Sequence, residues 1–391
     1  MRALNICFFT QQYGCLWSGV GTYATNLINA LSARGHQITV VTAEDKRRDT
    51  GHVPRNVGLV TVPVSSWDPS AGHWFSLARG YARMAKAFAR SRRFDIFHFT
   101  DAREALFFSC PEIPAVGTMN DYYFIDVPAN PLAFRKFYKD WVKRYLYYQA
   151  VHAVEPKALR KLSAVISNSQ FLKEELMEKY RISGESMYVV YLGVVRDNIR
   201  QVACLDKMEG NPSILFVGAN FQRKGLPVLI KAAAMLKPRY PSVKVYVVGK
   251  DANEPGMRKM CRDAGLEENF CFLGWLENKK VRELYGKLDM FVMPSLIEGF
   301  GLTFLEAMNA GIPVIGGDVG GTKELIRDGI TGFLIPPGDC QRLCRNIILL
   351  QENPGLKQGI VARAYALAGD FSIDKMADNT LAVYDKVISR E

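Results

Sequence analysis

Strand-length apolar runs alternate with helical stretches along most of this 391-residue chain, and that alternation constrains its fold more than any other feature. Leu4 to Thr10 reads as a fully buried strand, and Thr22 to Ala33 as a helix with Leu27, Ile28 and Leu31 at core spacing. Gly35-His36 stops that helix, and the strand Ile38 to Thr42 follows. Further strands are expected at Leu59 to Val64, Asp95 to Phe99, Ala115 to Met119, Ala164 to Ser167 and Tyr188 to Leu192. Continuous apolar strands separated by helices indicate a parallel sheet covered on both faces.

Between Val194 and Pro212 the pattern breaks into polar residues ending in Gly-Asn-Pro, which reads as a linker. The same grammar restarts with Ile214 to Val217, Lys244 to Val248, Phe270 to Leu273, Met290 to Met293, Pro313 to Ile315 and Gly332 to Ile335. The expected fold class is therefore α/β, with two doubly wound domains: residues 1–194, a linker over 195–212, and residues 213–371. Within 372–391, Met376, Leu381, Val383, Tyr384 and Val387 fall on a helical pattern. Two such domains place a ligand in the cleft facing the carboxyl ends of their strands.

A hydrophobic content of 48% with 23% charged residues fits a globular chain with two cores. No apolar run reaches the length of a membrane span, and Ala3 to Thr10 is a strand rather than a leader, so a cytoplasmic location is expected. The eight cysteines are scattered, and no histidine pair accompanies them, so no metal site is expected.

The segment from Pro294 to Met308 is the most informative for chemistry. It is a strand end, a glycine-bearing turn and a helix, with Glu298 in the turn and Glu306 inside the helix, seven residues lying between them. Gly299 and Gly301 let the backbone approach a ligand and expose N–H groups at a positive helix end, where an anion is favoured. Acids beside a phosphate-holding turn point to a nucleotide sugar.

Ser295-x-x-Glu298-Gly299-Phe300-Gly301-Leu302-x-x-x-Glu306-Ala307-Met308 resembles the signature of the retaining family 4 glycosyltransferases, which have the GT-B fold. That resemblance implies two Rossmann-like domains with an interdomain cleft, a C-terminal helix crossing back onto the first domain, and no metal. It covers the second domain densely and the first sparsely, from Gly19 through Gly35-His36 to Ser167-Asn168-Ser169. It implies that Glu306 holds the ribose hydroxyls and that Glu298 lies beside the donor sugar. The amides of Gly299, Phe300, Gly301, Leu302 and Thr303 would meet phosphate or sugar oxygens. Related enzymes carry Gly-Arg-x-x-x-x-Lys-Gly after the first strand of this domain. Here Gly218, Lys224 and Gly225 match, while Ala219 stands where the arginine would be. Arg223 and Lys224, two cations at a strand's carboxyl end, suit a diphosphate.

In the first domain Gly19 is expected to let its loop approach the donor phosphates. Many relatives have His-Asp where this chain has Asn120-Asp121; Asn120 can donate and accept hydrogen bonds but cannot carry a proton. His98 is a second polar candidate, which also fits a satisfied core histidine. Gly19-x-Gly21-x-x-Ala24, with Glu44 beyond it, matches the dinucleotide fingerprint by spacing, but Gln11 to Trp17 intervene where that fingerprint needs a tight turn.

The net charge of +11 requires an anionic partner. Arg135 to Tyr148 interleaves bases and aromatics; at helical spacing Phe137, Trp141, Tyr145 and Tyr148 share one face and Lys136, Lys139 and Lys143 another. That pattern fits an interfacial helix on an anionic membrane, and equally a helix packing its aromatics on its own domain. The expected activity is transfer of a hexose-type sugar from a nucleoside diphosphate to a glycan or lipid-linked acceptor, in envelope or exopolysaccharide synthesis. A nucleotide-sugar 2-epimerase of the same fold and an NAD-dependent enzyme are the alternatives. No nucleic-acid module is present, so nucleic acid is not an expected partner.

Overall fold

The computed structural model describes residues 2–14, 19–43, 53–63, 72–91, 94–120, 141–196 and 207–389. The chain forms two compact units. The first holds the described residues of Met1–Pro131, Val142–Gly193 and Ile373–Glu391, and the second those of Leu132–Trp141 and Val194–Ser372.

The first unit is built on a seven-stranded, all-parallel sheet. Its strands are β1 (Asn5–Thr10), β2 (Gln37–Ala43), β3 (Val57–Val62), β4 (Ile96–Phe99), β5 (Ala115–Met119), β6 (Ala164–Ser167) and β7 (Met187–Val189), in the order β3-β2-β1-β4-β5-β6-β7. Helices α1 (Gly19–Ala33), α2 (Gly72–Ser91), α3 (Trp141–Leu159) and α4 (Gln170–Tyr180) connect them, with a 3₁₀ turn over Ala102–Phe107 after β4. Phe9, Phe97, Phe99 and Phe108 form a buried aromatic stack on one face, closed by Tyr81 of α2.

The second unit repeats the plan with β8 (Ser213–Val217), β9 (Lys244–Val248), β10 (Phe270–Gly274), β11 (Met290–Met293), β12 (Val314–Gly317) and β13 (Phe333–Ile335). Their order is β10-β9-β8-β11-β12-β13, again all parallel. Its helices are α5 (Leu226–Leu236), α6 (Glu254–Asp263), α7 (Asn278–Lys287), α8 (Leu302–Asn309), α9 (Thr322–Leu325), α10 (Cys340–Glu352) and α11 (Pro354–Ala368). In each sheet the winding reverses beside its first strand, at β1/β4 and at β8/β11, which is where open α/β sheets bind ligands.

The last helix, α12 (Ile373–Ile388), packs on α1 within the first unit, with Met376, Leu381, Tyr384 and Val387 buried. Arg34 at the end of α1 reaches Asp374 and Asp378 at 2.9 and 3.1 Å. Tyr384 also meets Nδ1 of His98, whose Nε2 lies 2.8 Å from Thr118 Oγ1, and Thr118 in turn meets the Tyr23 hydroxyl at 2.8 Å. His98 is thus the satisfied core histidine rather than a ligand-facing one, and burial pushes its pKa down to about 3, so it stays neutral.

Most strand boundaries lie within one or two residues of the sequence expectation, and the larger differences fall at α1, β3 and β7. α1 begins at Gly19, not Thr22, because Gly21 is small enough to be buried in its first turn. β3 and β7 lie earlier than expected, at 57–62 and 187–189; both are edge strands, whose lengths are fixed by a single neighbour's register. Of the basic aromatic stretch, residues 135–140 and Glu44 of the fingerprint lie outside the described residues.

Candidate active site

In the second unit the carboxyl ends of β8 and β11 are tied together by their loops. Beyond β8 the chain turns through Asn220, which is held in the left-handed region at φ 57°, and its side chain accepts from Arg223 N at 3.2 Å. Phe221 is wholly buried, and its N–H donates to Asp251 beyond β9 at 2.6 Å. Gly225 then caps α5 at φ 80°; a Cβ there would lie 1.9 Å from the carbonyl oxygen of Pro294, so only glycine permits this approach of the β8 loop to the β11 loop. Leu296 N donates to Arg223 O at 2.8 Å, and the Arg223 guanidinium donates to Ile297 O at 3.2 Å.

This clamping brings the Lys224 ammonium onto the Glu298 carboxylate as a buried ion pair. Ser295 Oγ adds a longer contact to the same oxygen at 3.4 Å. Burial alone would raise the pKa of Glu298, but Lys224, then Arg223, and the hydrogen bonds from Lys224 and Ser295 outweigh it and hold the carboxyl below its ordinary value. Glu298 is therefore an anion at neutral pH, 8% exposed at the edge of the turn.

The turn continues through Gly299 and Phe300 to Gly301, which caps α8 without any side-chain hydrogen bond. No cap side chain therefore takes the first amides of α8, at Leu302 and Thr303, at the positive end of the helix, where an anion is favoured. Gly321 seats the turn from behind: its N–H donates to Glu298 O at 3.3 Å, and a Cβ on it would sit 2.1 Å from Gly299 O. Glu306, one turn into α8, is half-buried and accepts from the Tyr285 hydroxyl at 3.2 Å. Burial raises its pKa to about 7, against the lowering effects of the Tyr285 hydrogen bond and Arg282. Gly218, Arg223, Lys224, Glu298, Gly299 to Thr303 and Glu306 thus all lie around the β8/β11 edge.

The first unit carries the other expected residues. Asn120 follows β5; its amide donates to Thr100 O at 2.8 Å, and the Asn168 amide donates to Asn120 O at 3.0 Å. This ladder across the ends of β4, β5 and β6 leaves Thr100 Oγ1, Asn120 Oδ1 and Asn168 Oδ1 buried without a hydrogen-bond partner among the described residues. Hydroxyl groups of a ligand would complete them. Gly19 opens α1; a Cβ there would meet nothing within 4 Å, so the fold itself does not require glycine. Among the described residues no group of three or more His, Cys, Asp or Glu could hold a metal ion.

Two family models match the chain in tandem: Glycosyltransferase Family 4 over residues 17–198 and Glycosyl transferases group 1 over residues 196–367. The chain belongs to the family 4 glycosyltransferases. This glycosyltransferase is 25% identical over 386 residues to the glycogen synthase of Mycobacterium tuberculosis (strain H37Rv), covering 94% of this chain and 90% of that one. It is 27% identical over 247 residues to an uncharacterized glycosyltransferase of Methanocaldococcus jannaschii, MJ1607, spanning 60% of this chain and only 63% of that relative's length. Among solved structures, sucrose-phosphate synthase from Thermosynechococcus elongatus matches with a TM-score of 0.81 at 19% identity, covering 99% of this chain and 100% of that one. Anabaena HepE matches with a TM-score of 0.74 at 20% identity, covering 98% and 100%. At these identities the structural likeness concerns the fold, which is GT-B.

Sequence reasoning missed two residues of the candidate site in the second unit. Ser295 stood in the quoted motif, three residues before Glu298, and could have been seen as its hydrogen-bond donor, whereas Tyr285 reaches Glu306 only through a tertiary contact. In the first unit it missed Thr100 and the role of the Asn168 amide, which meet Asn120 only across neighbouring strand ends.

Proposed function

We propose that the enzyme transfers a hexose-type sugar from a nucleoside diphosphate to a glycan or lipid-linked acceptor, with retention and without a metal ion. The observation that carries this reading is the Lys224–Glu298 pair held beside the uncapped start of α8. The HepE structures contain UDP, one of them UDP-glucose, which supports a nucleotide-sugar donor here. In this reading Lys224, Arg223 and the amides of Gly301 to Thr303 take the diphosphate, and Gly218 lets the backbone lie close to it. Glu306 accepts from the ribose hydroxyls. Glu298 orients a sugar hydroxyl and offsets positive charge at the anomeric carbon.

The bond from the anomeric carbon to the phosphate oxygen breaks as the acceptor hydroxyl attacks the same face of the sugar. The proton of that hydroxyl passes to the departing diphosphate, so no dedicated base is required. Gly19 and Asn120 act from the first unit, the former on the donor phosphates and the latter on hydroxyl groups. The acceptor is an intermediate of envelope or exopolysaccharide synthesis, reached from the cytoplasmic side at an anionic membrane surface. The basic aromatic sequence 135–148 would meet that surface; within it, Val142 and Leu146 of α3 are 52% and 62% exposed. No helix among the described residues is long and apolar enough to cross a membrane, so the contact would be peripheral.

A thermal-shift panel of UDP, GDP, ADP and TDP with and without EDTA tests the donor site. One nucleotide should raise the melting temperature equally in both conditions. A shift abolished by EDTA contradicts metal independence, and no shift with any nucleotide contradicts the donor class. Incubation of the matching nucleotide sugar without acceptor should yield no epimer.

A further inference from the structure

Tyr285 and Val281 form the buried face of α7, and the Tyr285 ring packs edge-on to Phe291 of β11 with centroids 5.7 Å apart. Phe291 in turn meets Phe304 of α8 edge-on at 5.3 Å. These ring contacts fix the place of the Tyr285 hydroxyl, 3.2 Å from Glu306 Oε2 and 3.3 Å from the carbonyl oxygen of Thr303. Burial, then the Glu306 carboxylate, pushes the Tyr285 pKa well above its ordinary value, so the hydroxyl keeps its proton.

One hydroxyl proton thus faces two acceptors. When Glu306 is ionised, its carboxylate is the stronger acceptor and takes that proton in a hydrogen bond. When Glu306 is protonated, its own O–H donates to the tyrosine oxygen, and the tyrosine proton turns to Thr303 O. The buried hydroxyl is satisfied in both states. Held through Oε2, the carboxylate cannot turn freely, and Oε1, which has no hydrogen-bond partner among the described residues, is left for a ligand. Thr303 is the second residue of α8, where its amide is still free of the helix ladder.

Arg282, one turn before Tyr285 on α7, is the charged group that acts on this carboxyl. Of the other elements packed on α8, β12 carries no ionisable side chain, and α11 carries Lys357, Arg363 and Tyr365. Lys357 acts with Asp289, Arg363 donates to Ile330 O at 2.9 Å, and Tyr365 lies under the Arg196 guanidinium.

We propose that Tyr285 is a positioning residue of the donor site. Its single hydroxyl ties Glu306 to the Thr303 carbonyl, so the carboxylate that takes the ribose and the start of α8 that takes the diphosphate are set together. This role rests on the donor reading above, but the tie itself is measured without any nucleotide, so the two fail separately.

The test follows the Glu306 carboxyl carbon by carbon-13 NMR in protein labelled at the glutamate carboxyls, the signal being assigned by its absence in Glu306→Gln. In the free wild type it should titrate near pH 7. Tyr285→Phe keeps the ring and removes the donor, so the midpoint should rise by about one pH unit. Replacement of Tyr285 by 3-fluorotyrosine, a more acidic phenol and a stronger donor, should lower it. Unchanged midpoints, or shifts of the same sign in both variants, would overturn the proposal. Calorimetry at neutral pH then compares whichever of UDP, GDP and ADP binds with its 2′,3′-dideoxy form. Tyr285→Phe should weaken the ribonucleotide about tenfold and the dideoxy form about threefold; in a Glu306→Gln background the tenfold loss should shrink to about threefold. Equal losses for both nucleotides, as a merely structural role would give, or no loss for the dideoxy form, would also overturn the proposal. A wild type that binds none of the nucleotides while the two midpoints shift as expected would overturn the donor reading and leave the tie between Tyr285 and Glu306 standing.

Discussion

Lys224, seven residues beyond β8, forms a buried ion pair with Glu298, five residues beyond β11. The ion pair joins the two turns, and Ser295 Oγ of the β11 loop adds a 3.4 Å contact to the same carboxylate. The pair therefore reports whether the two loops are assembled, and it helps to hold Glu298, the acid we propose to lie beside the donor sugar, in its ionised form.

Lys224→Met should leave Glu298 buried without its main cation and cost about 3 kcal/mol of stability. Lys224→Met/Glu298→Gln should recover part of that loss, since the orphaned charge is gone. Urea unfolding of these two variants and of Glu298→Gln alone measures it. Because the folded pKa of Glu298 is lowered, its contribution is present above the ordinary carboxylate range and is lost as pH falls through the lowered value. Additive effects of the two substitutions would show that the pair is not coupled.

Glu306 behaves oppositely. With its pKa raised to about 7, the folded state holds this proton more tightly than the unfolded chain, so its contribution to stability falls as pH rises toward 7. Ribose hydroxyls donate best to the ionised form, so donor affinity should rise between pH 6 and pH 8 by up to roughly tenfold. Calorimetric titration of the nucleotide sugar against wild type and Glu306→Gln isolates the effect, because the Gln variant should show no such rise. An equal pH dependence in both would remove Glu306 from the donor site.

Gly321→Ala should displace the Glu298 turn, because the added methyl would lie 2.1 Å from Gly299 O. The expected result is a loss of about 1–3 kcal/mol in stability and at least tenfold in kcat. Wild-type kcat in a stably folded variant would mean that the position of the turn does not matter for catalysis.

Tyr384→Phe should cost about 1–3 kcal/mol by leaving buried His98 Nδ1 unpaired, with the melting temperature as readout. His98 cannot compensate by charging, since burial holds it neutral. An unchanged melting temperature would show that the Tyr384–His98 hydrogen bond does not help to hold α12.

The fold was legible because parallel strands buried on both faces write themselves as continuous apolar runs, and nearly every run from β1 to β13 was found. The edge strands β3 and β7 were misplaced, whereas β10 and β13, the edges of the second sheet, were found within a residue. The glycine turn and both glutamates of the second unit were legible because phosphate chemistry confines them to adjacent positions. The pairing of Lys224 with Glu298 was not, since 74 positions separate the two residues and only the β8/β11 switch brings them together. Arg223 was read purely as a diphosphate ligand; its guanidinium also braces Ile297, a backbone contact that no side-chain pattern encodes.

A crystal structure of the complex with the nucleoside diphosphate selected by thermal shift, grown in EDTA, tests the central claim most directly. The account predicts the diphosphate within hydrogen-bonding distance of Lys224 Nζ and the amides of Leu302 and Thr303, with the ribose on Glu306. Density for the nucleotide at any other place in the chain, with the Lys224–Glu298 edge vacant, would contradict it.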